Sequence, residues 1–203
     1  MKLSGHLRDN IRRLEAVYSN CADLIFHDLL VGGHTPAVLV YFEGLIRLDE
    51  LDQHVVAPLR DGPGPDQGLE AIRHRTTVAS VKTVATIDEL VDEINGGRPV
   101  LLVDGHASAL VFGLSDWEQR SVEEPAAESV LRGPREGFVE TIRTNISLLR
   151  RRIRSPKLKV VTLKLGTRTN TPVAVIYLED VASPSLVREV MSRLKRIEIE
   201  DVL

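Results

Sequence analysis

The stretch FVETIRTNISLLRRRI, residues 138–153, decides the fold because its pattern occurs twice in the chain. Phe138, Ile142, Ile146, Leu149 and Ile153 fall at steps of 4, 4, 3 and 4, which stacks apolar side chains on one face of a helix. Leu3, Leu7, Ile11, Leu14 and Tyr18 repeat that spacing at a constant offset of 135, and Asn10-Ile11 finds its match in Asn145-Ile146. Each helix pattern is followed by two β-branched apolar runs. The first pair, 23–30 and 37–42, flanks the turn-forming cluster Val31-Gly32-Gly33-His34-Thr35-Pro36. The second covers 160–165 and 173–178, and here Thr35-Pro36, Tyr41 and Glu43 match Thr171-Pro172, Tyr177 and Glu179 at an offset of 136. The one-residue change in offset is expected in a connecting loop.

A further helical pattern closes each unit. Leu48, Leu51, Val55 and Leu59 keep helical spacing until Asp61-Gly62-Pro63-Gly64-Pro65-Asp66 stops them. In the second unit Ser183-Pro184 starts a helix whose apolar face is Leu186, Val187, Val190, Met191 and Leu194. Between the units, Thr86 and Glu89 fit a capping box, Leu90, Val91 and Ile94 line a helix, and Gly96-Gly97 ends it. Strands 99–103 and 107–114 follow around Asp104-Gly105. The expected fold class is mixed α/β (α+β), with two subdomains containing related α-β-β-α units. The expected division is 1–114 for the first subdomain, 115–137 for a charged junction containing Gly and Pro, and 138–203 for the second.

Composition agrees with a folded chain: of 203 residues, 43% are apolar and 27% charged, near the averages for globular proteins. Aromatics contribute only 4%, so Leu, Val and Ile must build the core. A net charge of -3 exerts no global pull on nucleic acid or anionic lipid. Cys21 is the sole cysteine, which excludes an internal disulfide and a cysteine-built zinc or iron-sulfur site, and a reducing compartment is the simpler reading. No signal-peptide hydrophobic region opens the chain, and no uncharged run approaches the roughly 18 residues of a membrane span.

The junction carries the most specific pattern. It reads Trp117-Glu118-Gln119-Arg120-Ser121-Val122-Glu123-Glu124-Pro125, then Val130-Leu131-Arg132-Gly133-Pro134-Arg135-Glu136-Gly137-Phe138, and runs through Asn145 to Arg150-Arg151-Arg152-Ile153. This resembles the GerA family of spore germination receptor A subunits, as do Tyr41-Phe42-Glu43-Gly44-Leu45 and the ending Ile197 to Leu203. The resemblance implies an amino-terminal domain that precedes a membrane-spanning region in full-length relatives; the chain reads as either an excised soluble domain or a truncated relative, and the ending Asp201-Val202-Leu203 favours the excised domain. The resemblance further implies a place in the spore inner membrane, this domain facing the cytoplasm or spore core, beside transporter-like B subunits and lipoprotein C subunits. Together such subunits sense nutrients and trigger ion release. A homo-oligomer through A subunits is also implied. A SpoVAF-type paralogue shares the domain, and the context of Trp117 and Glu123-Glu124-Pro125 looks more like a receptor A subunit.

Family-motif, interface or structural candidates are therefore Glu43, Gly44, Trp117, Arg120, Glu124, Pro125, Arg132, Gly133, Pro134, Arg135, Asn145, Arg150, Arg151 and Arg152. The basic run, with Arg154, Lys157 and Lys159, reads either as a solvated helix end facing the helix dipole or as a surface for acidic partners. The segment from Arg132 to Gly137 lacks the spacing of a phosphate-binding loop and reads as a rigid helix entry. Glu43 and Glu179 suggest a shared turn or capping role. The six histidines show no local metal-ligand pairing. Asp23, His27 and Asp28 fit a half-exposed strand, and Cys21 fits a small packing residue in a helix-to-strand turn. No nucleophile elbow occurs and nothing singles out a nucleophile; the resemblance implies a non-enzymatic signalling and assembly module without cofactor. Direct nutrient binding in a cleft is the alternative, and nucleic-acid binding is less favoured. The junction is expected to let the two subdomains change their relative angle.

Overall fold

The computed structural model describes residues 1–61, 68–114 and 137–201. Helix α1 spans Leu7–Val17, and the hairpin of β1 (Leu24–Val31) and β2 (Thr35–Phe42) follows it. Helix α2 (Leu48–Leu51) passes through a π-helical turn, Asp52–Val56, into α3 (Ala57–Arg60). The wider turn still places Leu51, Val55 and Leu59 together in the core. Next come α4 (Leu69–Arg75), β3 (Val81–Val84), α5 (Ile87–Asn95), β4 (Val100–Val103) and β5 (Ala109–Phe112). The described chain closes with α6 (Ile142–Arg152), β6 (Leu158–Leu165), β7 (Thr171–Leu178) and α7 (Pro184–Lys195).

The two sheets are antiparallel throughout, and helices flank them, so the chain is an α+β protein. The larger sheet has the order β1-β2-β4-β5-β3, and the smaller pairs β6 with β7. The central strands are buried on both faces, which is why they read as unbroken apolar runs. Val38, Val40 and Phe42 of β2 face α1 and α5 with Leu102 and Val111. Ala37, Leu39 and Tyr41 face the opposite side with Leu51, Val55, Leu59 and Ile72. Each fully buried Leu or Val contributes about 1.5–3 kcal/mol through removal from water, so these two layers carry most of the stability.

The capping box forms in full: Thr86 Oγ1 accepts from the Glu89 amide at 3.2 Å while Glu89 Oε2 accepts from the Thr86 amide at 3.0 Å. Two elements lacked a counterpart in the sequence reading. α4 is short, and β3, with sequence Val-Lys-Thr-Val, offers too little apolar alternation to stand out. The piece between the units also proves to be part of the first unit's sheet, because β4 inserts beside β2 with Ala37 opposite Val103 and Val40 opposite Val100.

The repeat persists in three dimensions. α6 lies at an offset of 135 from α1, β6 at 134 from β1, and β7 at 136 from β2. The change expected in one loop is therefore spread over two: the connection between helix and strand is shorter by one residue in the second unit, and the hairpin turn is longer by two. Even a side-chain device is copied. Asn10 Oδ1 accepts from the Ser4 amide at 2.9 Å and its Nδ2 donates to the Ser4 carbonyl at 2.7 Å. Asn145 does the same to Val139, at 2.7 Å for both bonds. Each asparagine thereby pins the backbone six residues upstream and fixes how the chain enters its helix.

Candidate functional site at the seam between the units

The two units meet where α6 and the start of β6 dock against the residues flanking β1 and the end of β2. Backbone pairing begins the contact: the Ala22 amide donates to Val160 O at 2.9 Å and the Val160 amide to Asn20 O at 2.8 Å. These bonds form an isolated parallel bridge between Cys21 and Val160. Arg150, on the last turn of α6, then reaches across to Asp23. Its Nε donates to Oδ2 at 2.7 Å and its Nη2 to Oδ1 at 2.8 Å, the bidentate geometry that suits a planar guanidinium.

Both side chains are buried, Arg150 at 2% exposure and Asp23 at 6%. The guanidinium carbon lies 4.2 Å from the centre of the Phe42 ring, and Phe42 in turn meets Tyr18 edge-on at 5.6 Å. Burial opposes the charged form of Arg150, but the hydrogen bonds and charge of Asp23 outweigh it and raise the guanidinium pKa. Burial also pushes the Cys21 thiol up, against the pull of Arg150, so the thiol stays protonated while its Sγ contacts the Leu158 carbonyl at 3.6 Å. That arrangement fits the packing role expected of Cys21.

Glu43 and Glu179 hold matching posts. The Glu43 amide donates to Asp23 O and the Glu179 amide to Lys157 O, each at 2.9 Å, so both close their hairpins at the open end. Their carboxylates turn to different cations. Glu43 pairs with Arg143 of α6 at 3.0 Å, across the seam. Glu179 pairs with Lys157 at 3.1 Å and with Lys159 at 3.6 Å. Lys159 is itself buried and donates to the Val17 carbonyl at 3.1 Å, a further bond between units. Gly44 adopts φ +85°, and a Cβ there would stand 3.3 Å from Cβ of Ser147, so a glycine lets α6 approach this closely.

The structure therefore gathers Glu43, Gly44 and Arg150 of the candidate residues around one seam, while Asn145, on the same helix as Arg150, bonds to Val139 within the second unit. Arg151 is half-buried and Arg152 exposed, so the basic run splits between packing and surface. Trp117, Arg120, Glu124, Pro125, Arg132, Gly133, Pro134 and Arg135 lie outside the described residues. Sequence reading missed Asp23 as the partner of Arg150. It also placed the buried stripe of α6 on Ile142, Ile146, Leu149 and Ile153, whereas the buried residues are Ile146, Ser147 and Arg150. The helix is rotated so that Ser147 faces Gly44 and Arg150 faces Asp23. The expected change of relative angle falls on the 115–137 junction, whose residues 115–136 lie outside the described residues, and such a rotation would have to break the buried Asp23–Arg150 pair. Among the described residues no group of three His, Cys, Asp or Glu side chains comes together as a metal site, and no helix is long and apolar enough to cross a membrane.

Residues 12–203 match the family profile of the Bacillus/Clostridium GerA spore germination protein. The chain belongs to the GerA spore germination family. Among GerA-related proteins of Bacillus subtilis, spore germination protein KA is 31% identical over 99% of this chain, which covers 38% of that protein. Stage V sporulation protein AF is 35% identical over 80% of the chain, covering 34% of it. The chain thus spans about two fifths or less of the length of these relatives. The GerA-family chain also has the fold seen in the crystal structure of the N-terminal domain of the A subunit of the Bacillus megaterium spore germinant receptor GerK3. The TM-score is 0.77 at 24% identity, covering 98% of this chain and 74% of that one.

Proposed function

We propose that this chain is the N-terminal domain of a nutrient germinant receptor A subunit and serves as a signalling and assembly module in spore germination. The observation that carries the reading is the GerA match over residues 12–203, joined to a fold shared with the GerK3 domain. In this reading 1–114 and 138–203 are two units connected through 115–137, and the Asp23–Arg150 seam makes them one load-bearing body that works through interfaces rather than bond chemistry. The partners are the receptor's B and C subunits and further A subunits, and the site of action is the spore inner membrane with this domain on the cytoplasm or core side.

The receptor reading predicts that spores lacking this protein lose their response to at least one nutrient and regain it on complementation. Spores that respond normally to every nutrient that germinates the wild type, with no other receptor able to substitute, would overturn it.

A further inference from the structure

In each unit the chain that runs on through the closing helix comes back to the tip of the hairpin. In the first, the Gly32 amide, in the turn between β1 and β2, donates to the Leu59 carbonyl of α3 at 2.8 Å. In the second, the residues after α7 lie against the turn between β6 and β7. There the Thr167 amide donates to the Ile199 carbonyl at 3.1 Å and the Arg168 amide to the Glu200 carbonyl at 3.0 Å. The Arg168 side chain reaches the same partner, its Nη2 standing 3.2 Å from Glu200 Oε2.

The two returns are sealed differently. Leu59 is fully buried beside Leu51 and Val55, so the first return belongs to the core. No residue from 179 to 201 is buried, and Ile197 and Ile199 are 40% and 44% exposed. The side chains of Arg168 and Glu200 are 71% and 67% exposed, and an ion pair so placed contributes little and is weakened by salt. Two solvated backbone bonds and one such pair hold a segment that opens by itself while the core stays folded. The turn that receives it is built independently, with Gly166 at φ +83°, Asn170 at φ +47° and the Asn170 amide donating to the Gly166 carbonyl at 3.1 Å.

We propose that residues 197–201 are a releasable strap latched by Arg168 and Glu200, and that its release is how the second unit passes a change to the remainder of the receptor. The inference rests on reading the chain as the N-terminal domain of an A subunit, in which the remainder follows the strap. While latched, the strap ties that remainder to the tip of the β6–β7 hairpin. The other end of β6 enters the seam through Lys159 and Val160, so one hairpin links the seam to the tail. Release frees the tail without turning one unit against the other, and the buried Asp23–Arg150 pair stays closed. The first unit's return cannot act this way, because opening it would break the core around Leu59.

The test joins amide hydrogen exchange on the whole chain to germination of spores that carry the variants in the full-length protein. The Thr167 and Arg168 amides should exchange faster than those of β2, and faster still at high salt. Glu200→Arg sets two like charges together and should speed both amides about fivefold without lowering the melting temperature. It should also shift the nutrient concentration that gives a half-maximal response. Adding Arg168→Glu reverses the pair and should restore both readings. Amides protected as strongly as those of β2, a fall in melting temperature, or an unchanged nutrient response in Glu200→Arg spores overturns the strap. Normal germination of spores lacking the protein overturns the receptor reading instead, so the two fail separately.

Discussion

Asp23 and Arg150 stand 127 residues apart in sequence and share a bidentate ion pair with contacts of 2.7 and 2.8 Å. The pair is sealed from water and roofed by the Phe42 ring. An ion pair in this setting recovers much of its desolvation cost through geometry, but either partner left alone does not. Arg150→Ala is therefore expected to destabilise the fold by about 3–5 kcal/mol, measured by urea unfolding. The Asp23→Ala, Arg150→Ala double variant should cost less than the two single losses combined, because it strands no charge.

The duplicated asparagines offer an internal comparison. Asn10 is 1% exposed and its counterpart Asn145 is half-buried. Asn10→Ala leaves a part-buried amide and carbonyl of Ser4 without their partner, opens a gap where a fully enclosed side chain stood, and should cost about 1–3 kcal/mol. Asn145→Ala should cost less, since the Asn145 side chain is itself only half-buried. Equal losses would show that exposure does not decide the value of this device.

Gly44 and Gly33 separate backbone strain from crowding. Both have positive φ, +85° and +75°, but only Gly44 has a neighbour where a Cβ would go, Ser147 at 3.3 Å. Gly33→Ala should cost the left-handed backbone penalty of about 1–2 kcal/mol. Gly44→Ala should cost more and should weaken the seam. A Gly44→Ala, Ser147→Gly variant should recover the excess in thermal unfolding.

Acid sensitivity should have an identifiable source at the other end of the fold. Burial pushes the Glu93 carboxyl up, while hydrogen bonds from Lys82, at 2.6 Å, and from Arg98 outweigh it and leave its pKa below the ordinary glutamate value. A carboxyl whose folded pKa lies below its unfolded one contributes stability that is complete above the ordinary value and is lost as pH falls through the folded one. Glu93→Gln should therefore flatten the acid side of the stability profile. It should also lower stability at neutral pH, where the Lys82 and Arg98 contacts are normally charged.

The sequence made local elements and the repeat legible because both rest on short-range spacing. The Leu3 to Tyr18 face, the hairpin around Gly32-Gly33 and the Thr86 capping box all lie within about twenty residues of chain. Strand order did not follow from spacing, since β4 beside β2 is a choice among apolar runs that look alike. Arg150 was hidden by its neighbours: three successive arginines read as a solvated helix end. A signal was present, because position 150 is one helical turn after Ile146 and so shares the inward face. Phe138 misled in the opposite sense. It matches the spacing of Leu3, which is 6% exposed, yet Phe138 is 70% exposed, because no described element covers the second unit as α5 covers the first.

The central claim is that this domain acts through interfaces and does not itself hold the nutrient, and its most direct test is thermal unfolding against a panel of amino acids, sugars and nucleosides. Any ligand that binds the folded state must raise the melting temperature by mass action. The account predicts the same melting temperature with every nutrient. A reproducible, concentration-dependent rise with one of them would contradict it and make the domain a direct germinant sensor.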